Sequence, residues 1–558
     1  MAIKSTAAKV ATIQKGYALD GPAIELGAAI VDGELHKEAP VRLPLAMMNR
    51  HGLVAGATGT GKTVTLHMMA EQLSTAGVPV FLADLKGDLS GLATAATGSE
   101  KLLARTAGIG QPWSGKTFPV EFLALGGDGN GVPVRATITS FGPILLSRVM
   151  ELNDTQESSL QLVFHFADKN NLELIDLKDL RAVIQFLTSD EGKDELKELG
   201  GLSKSTAGVI LRELITLEAQ GLEKFFGEPE FDAAELLRTA PDGRGVVSCL
   251  ELPTLQTKPM LFSTFLMWLL ADLFEDLPEA GDLDKPKLVF FLDEAHLLFN
   301  GASKAFLDAI TTTVRLIRSK GVGIFFVTQT PKDVPADVLG QLANRVQHAL
   351  RAYTPEDAKA LKAAVSTFPI SDYDLEETLT SAGIGEAVVT VLNENGAPTP
   401  VALTRLRAPE SVMGPSAAAL ISSTVAGSAL LPKYGTAVDG VSAYEKLTGK
   451  ASAGAPPDGG TLPDGGTDTV DAEARRIEEE ILGRPSSRPA PRPEHQAPHQ
   501  PRRRAPEQAG GGAAGDLAGA LGGALGSGLQ SMARSLGTQL GRELLRGVFG
   551  TSSKRRRR

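Results

Sequence analysis

Apolar positions recur along this chain with two periods, and the alternation between them outlines its elements. Residues 51–55 (HGLVA) form a short apolar run suited to a buried strand. Residues 64–74 then put Leu66, Met69, Ala70 and Leu73 on one face of a helix, and 78–84 (VPVFLAD) return to strand. Strand, helix and strand in that order open an α/β parallel sheet. Ahead of them, residues 1–50 alternate weakly, with 23–31 and 41–45 flanking the turn Asp32-Gly33-Glu34, which predicts a small β element leading into the sheet. Strands are expected at 119–125 and 134–138. From 141 to about 240 the pattern is helical, at 144–151, 156–167, 176–187 and 205–219, and reads as a helical insertion. Strand signals resume at 245–250. An apolar helix at 259–276, a strand at 287–294, a helix at 303–320 and strands at 323–328 and 345–351 follow. A helix at 355–364 and a strand pair near 387–392 and 399–405 complete a doubly wound core.

Beyond 450 the pattern changes. Residues 451–515 are dominated by Pro, Gly, Ala, Arg and Asp and hold too few large apolar side chains to offset their ordering entropy, so a disordered linker is expected. Leu517, Leu521, Leu525, Leu529, Met532, Leu536, Leu540, Leu544 and Val548 then recur at spacings of four or three, the signature of an amphipathic helix over 516–550. Its many glycines allow close helix approach, suiting it to dock a protein partner. A basic tail, 551–558, ends the sequence. The expected organisation is a small N-terminal β region (1–50), a core in two pieces (51–140 and 241–410) and the helical insertion (141–240) between them. An extension of the core (411–450), the linker, the helix and the tail follow.

Charge and cysteine content narrow the function classes. The formal net charge is -10, yet from residue 501 onward eleven Lys/Arg face three Asp/Glu, which leaves about -18 on the remainder. Contact with nucleic acid would need local basic patches, a pore or the tail, because an acidic surface repels phosphate. A single cysteine, Cys249, excludes a disulfide framework and a cysteine-based zinc site within one chain and fits a reducing cytoplasm. Residues 1–15 have no continuous apolar core, so no signal peptide is expected. The most apolar stretch, 260–274, is shorter than the roughly 20 residues a bilayer requires and reads as a buried core helix, with no integral membrane association.

Residues Gly56, Ala57, Thr58, Gly59, Thr60, Gly61, Lys62 and Thr63 read GATGTGKT between the first strand and its helix. Glycines let the backbone wrap an anion and turn its N–H groups inward at a helix N-terminus. Lys62 is expected to reach the β- and γ-phosphates of ATP, and the Thr63 hydroxyl to ligate Mg²⁺. Asp293 and Glu294 close the apolar run 288–292: Asp293 is the candidate second Mg²⁺ ligand, Glu294 the group that polarises the attacking water. Gln329 closes strand 323–328 and is expected to sense the γ-phosphate. Thr63, Asp84, Asp293 and Gln329 should converge, since a parallel sheet presents ligands at the C-terminal ends of its strands. Arg315 and Arg318 share a helix face and could supply positive charge to the γ-phosphate.

The set GATGTGKT, FLADLKGDLSG (81–91), LVFFLDEAH (288–296) and IRSKGVGIFFVTQTP (317–331) resembles the HerA-like branch of the HerA/FtsK/VirD4 P-loop ATPases, and within it the bacterial HerA-like proteins. The resemblance spans about 40–410, with a terminal echo at 542–550 (RELLRGVFG). It implies a RecA-like core with a mainly parallel sheet, hexameric rings, ATP sites between subunits and translocation on double-stranded DNA. It also implies that Arg318 acts in trans as an arginine finger; Arg351 is a weaker candidate. Two features depart from relatives: some 50 N-terminal residues are too few for the β-barrel of archaeal HerA proteins, and the membrane spans of FtsK and VirD4 proteins are not expected here. The alternatives are an ATP-regulated assembly scaffold without a nucleic-acid substrate and a small-molecule kinase. The latter is disfavoured by the roughly 230 residues between Thr63 and Asp293.

Overall fold

The computed structural model describes residues 5–452 apart from 128, 198–199, 253–257, 301 and 303. The amphipathic helix 516–550, the tail 551–558, the echo at 542–550 and all but the first two residues of the linker 451–515 lie outside the described residues.

Twelve strands form one sheet: β1 Ala23–Val31, β2 Glu34–Pro44, β3 Gly52–Ala55, β4 Val80–Asp84, β5 Val120–Leu125, β6 Val132–Val134, β7 Val247–Glu251, β8 Leu288–Leu292, β9 Val322–Thr328, β10 Asn344–His348, β11 Glu386–Thr390 and β12 Ala402–Leu406. Their order is β2-β1-β12-β11-β10-β3-β9-β8-β4-β7-β5-β6. From β10 to β6 every neighbour is parallel; from β10 to β2 every neighbour is antiparallel. This is the mainly parallel α/β sheet expected of a P-loop ATPase core. One strand, β9, separates β3 from β8, so the ends of all three adjoin.

The central strands are continuously apolar because helices cover both faces, and successive side chains feed two cores. Phe81 and Phe290 point to one core with ring centroids 5.0 Å apart. Their sequence neighbours Leu82 and Phe291 point to the other. Helix Pro259–Asp276 lies in the first core with thirteen buried residues, Trp268 among them, which accounts for its apolar composition. Among the described residues no helix is long and apolar enough to cross a membrane.

Helices Pro143–Val149, Asp154–Lys169, Leu177–Thr188 and Lys204–Ala219 follow the four helical stretches of the sequence closely. The strand expected at 134–138 stops at Val134. Thr137 Oγ1 accepts from Ser140 N at 3.1 Å and caps a short helix, Ile138–Phe141. Helix Thr6–Gly16 was not expected; Ser5 Oγ caps it, and it buries Val10 and Ile13.

After β12 the chain returns to the body in two clamps. Glu71, buried on the phosphate-loop helix Lys62–Thr75, accepts from Glu410 N and Ser411 N, both at 2.8 Å, and from Ser411 Oγ at 2.5 Å. Further on, the Tyr434 carbonyl accepts from Arg135 Nη1 at 2.8 Å. Asp179 Oδ1 accepts from Tyr444 N at 2.9 Å and from Ser442 Oγ. Residues 411–450 therefore run from the sheet across to the helical layer.

Candidate active site

The loop 56–61 is suspended from the strand ends around it. Gly56 N donates to Thr328 O at the end of β9 (3.2 Å), and Ala57 N donates to Ala349 O just past β10 (2.8 Å). Gly385 N, ahead of β11, donates to Thr60 O (3.0 Å). Two glycines are dictated by geometry. A Cβ at Gly56 would stand 2.4 Å from His348 Cβ, and Gly61 holds φ +114° where the loop turns into its helix. His348 is fully buried behind the loop with Nε2 2.9 Å from Thr65 Oγ1, and burial together with Lys62 drops its pKa to about 4, so it stays neutral.

Lys62 Nζ donates to Gly56 O at 2.8 Å. Burial holds this lysine below its ordinary pKa, against the pull of Glu294 and Asp293. At the end of β8, Asp293 Oδ1 accepts from Glu294 N at 2.9 Å, and burial followed by Glu294's charge pushes the Asp293 carboxyl up to about 6. A buried carboxylate whose charge is disfavoured in this way is suited to a cation. Among the described residues no three His, Cys, Asp or Glu side chains gather into a metal cage. One carboxylate, a hydroxyl and substrate phosphates are the ligand set Mg²⁺ commonly takes, and Asp293 and the half-buried Thr63 can provide the protein's share.

Glu294 has φ +47°, the left-handed region that non-glycine residues rarely adopt. Its Oε1 accepts from Lys86 Nζ at 2.5 Å. Burial opposes the carboxylate's charge, but the Lys86 bond and charge outweigh it and hold the group below its ordinary pKa. Gln329 follows Thr328 directly and is exposed at the loop's border. Asp84 reaches the same edge at the end of β4, but its carboxylate accepts from Gly87 N (2.7 Å), Leu89 N (3.0 Å) and Lys86 N (3.2 Å), so it shapes the following turn.

The structure thus brings Gly56–Thr63, Asp293, Glu294 and Gln329 to one edge of the sheet. Arg318 is elsewhere. It opens a short 3₁₀ turn ahead of β9, where its charge bears on Arg50 and on His51 before β3. The seven residues of β9 span about 23 Å and separate Arg318 from Gln329. Arg315 is exposed one turn earlier. Arg351 is also exposed, two residues past the carbonyl that holds Ala57, on the phosphate-loop edge. Lys86 and His348 were missed by sequence reasoning. One lysine in a polar turn carries no pattern, and a histidine at a strand end declares a role only once its packing is known.

Residues 30–558 match the model of the family "Helicase HerA-like C-terminal". A curated relative, the DNA double-strand break repair helicase HerA of Saccharolobus solfataricus, is 23% identical over 385 residues, covering 67% of either chain. Among solved structures, the bacterial conjugative coupling protein TrwBdeltaN70 aligns with a TM-score of 0.47 and 16% identity over 73% of this chain and 95% of that one. VirB4 of Thermoanaerobacter pseudethanolicus aligns with a TM-score of 0.42 and 14% identity over 70% and 97%. The family model covers nearly all of the sequence, including every residue of the site, and the chain belongs to the helicase HerA-like C-terminal family.

Proposed function

We propose that the chain is one subunit of an ATP-hydrolysing ring that works on double-stranded DNA. The observation that carries this reading is the separation of Arg318 from the phosphate loop. The edge that gathers Lys62, Asp293 and Glu294 lies about a full strand length from Arg318. Arg318 can serve such a site only from a second copy, with the phosphate-loop edge of one subunit against the opposite edge of the next. A ring of copies, a hexamer in the family's manner, satisfies that requirement at every site. DNA enters through kinship with a relative described as a repair helicase.

In this reading the loop amides and Lys62 hold the β- and γ-phosphates, and Thr63 and Asp293 hold Mg²⁺. The metal, when bound, supplies Lewis-acid charge to the phosphate oxygens. Glu294 accepts a hydrogen bond from water and orients it toward the γ-phosphorus, and Gln329 borders the same space. Positive charge from the neighbouring Arg318 stabilises the equatorial oxygens as the bond to the leaving phosphate lengthens.

ATP turnover and oligomer mass, measured with and without duplex DNA, test this. The expected result is a multimer whose turnover rises with duplex DNA and whose DNA affinity falls steeply with salt. Turnover indifferent to any form of DNA would remove the motor and leave an ATP-regulated scaffold. A fully active monomer would remove the shared site.

A further inference from the structure

We infer that Lys86 is a positioning residue for Glu294, which rests on the hydrolytic reading above. The turn after β4 is fixed from inside: Asp84, buried, accepts from the backbone N–H groups of Lys86, Gly87 and Leu89 at 3.2, 2.7 and 3.0 Å. The Lys86 backbone therefore has a set place at the edge of the sheet, and its Nζ meets Glu294 Oε1 at 2.5 Å across 208 residues of sequence. Glu294 itself leaves β8 in the left-handed conformation at φ +47°, so its side chain departs from the strand on an uncommon path. Its second oxygen, Oε2, is buried and has no hydrogen-bond partner among the described residues. His296 Nδ1 stands 3.2 Å away without hydrogen-bond geometry and is likewise unpartnered.

One carboxylate oxygen is thus tied to Lys86, and the other is buried against His296. The lysine side chain is 53% exposed and that of Glu294 only 11%, so removing the lysine leaves a nearly buried carboxylate without its partner and costs some stability; stability is one reason for the pair. Orientation is a second one: with Oε1 held by Lys86 and Oε2 flanked by His296, the carboxylate is kept at the sheet edge beside the phosphate loop, where it can orient water. Lys86 then acts on the reaction only through Glu294 and touches no phosphate.

The test uses full-length Lys86→Met, Lys86→Gln and Lys86→Arg, with ATP, a non-hydrolysable ATP analogue and ADP as probes in the presence of Mg²⁺. Loss of the restraint should lower kcat about ten- to a hundredfold in the Met and Gln variants, the scale set by misplacing a reacting group by about an ångström. Measured well below the unfolding midpoint of each variant, KM and both nucleotide affinities should stay as in wild type, and Lys86→Arg should recover most of kcat. Wild-type kcat in both neutral variants would overturn the inference. So would a loss of affinity for the analogue with ADP affinity kept, because that pattern marks a γ-phosphate ligand. Glu294→Gln is measured in parallel: if it turns over normally, the hydrolytic role of Glu294 fails, whatever Lys86 does.

Discussion

Glu71 offers a test of which of two opposing forces governs a buried carboxylate. Three donors converge on it from Glu410 and Ser411, which favours the charged form, yet it is only 4% exposed on the phosphate-loop helix. Burial wins and lifts its pKa from 4.5 to about 7. A carboxyl with a raised folded pKa binds its proton more tightly in the native than in the unfolded chain. Its stabilising contribution is therefore full below about pH 4.5 and lost as pH rises through about 7. At about 1.36 kcal/mol per pKa unit, the span is on the order of 3 kcal/mol, of which about 2 kcal/mol falls between roughly pH 5.5 and 8. Glu71→Gln removes the titration. The amide also turns a donor toward a backbone N–H, a cost that does not vary with pH and so cancels from the comparison. Urea unfolding of wild type and variant at several pH values in that range gives the difference directly, and groups such as His51, His67 and His348 titrate in both proteins. The wild-type advantage over Glu71→Gln should shrink by about 2 kcal/mol from roughly pH 5.5 to 8. An advantage that grows with pH would refute the reasoning and show that the three hydrogen bonds outweigh burial.

Other expectations concern the site and the sheet. Lys62→Ala should impair nucleotide binding and turnover together, whereas Glu294→Gln should bind ATP and not turn it over; equilibrium binding beside steady-state rates separates the two. Arg318→Ala and Glu294→Gln, each inactive alone, should regain part of the activity when mixed, and no recovery in mixed rings shown to form would argue against a trans role for Arg318. Gly56→Ala places a methyl 2.4 Å from His348 Cβ and should abolish nucleotide binding while far-ultraviolet circular dichroism stays native. Phe81→Ala, at a fully buried ring in contact with Phe290, should cost about 3–5 kcal/mol in denaturant unfolding.

What could be read in the sequence was whatever has a short period or a local turn. The apolar run of β8 and the acids that end it, the amphipathic helices between β6 and β7, and the glycine spacing of the phosphate loop all declare themselves within about twenty residues. Helix Thr6–Gly16 did not, because it buries only Val10 and Ile13 and its remaining apolar positions are small. Contacts between distant segments were equally silent. Lys86 meets Glu294 across 208 residues, Glu71 meets Ser411 across 340, and β1 pairs with β12 far along the chain. Tertiary packing selects those partners, and no periodicity in either segment encodes the other.

The two outermost strands bear on how copies of this chain can meet. At one border, β6 is three residues long with Pro133 at its centre; at the other, β2 carries Pro40, Pro44 and the charges Lys37 and Glu38. Proline offers no N–H to a ladder and charge discourages a dry partner, so neither border is a good template for a thirteenth strand. A layer of twelve strands with an apolar centre would otherwise leave two unpaired borders open to further pairing. With both borders blunted, strand-to-strand pairing between copies is disfavoured, and a fibrous polymer finds no ready edge among the described strands.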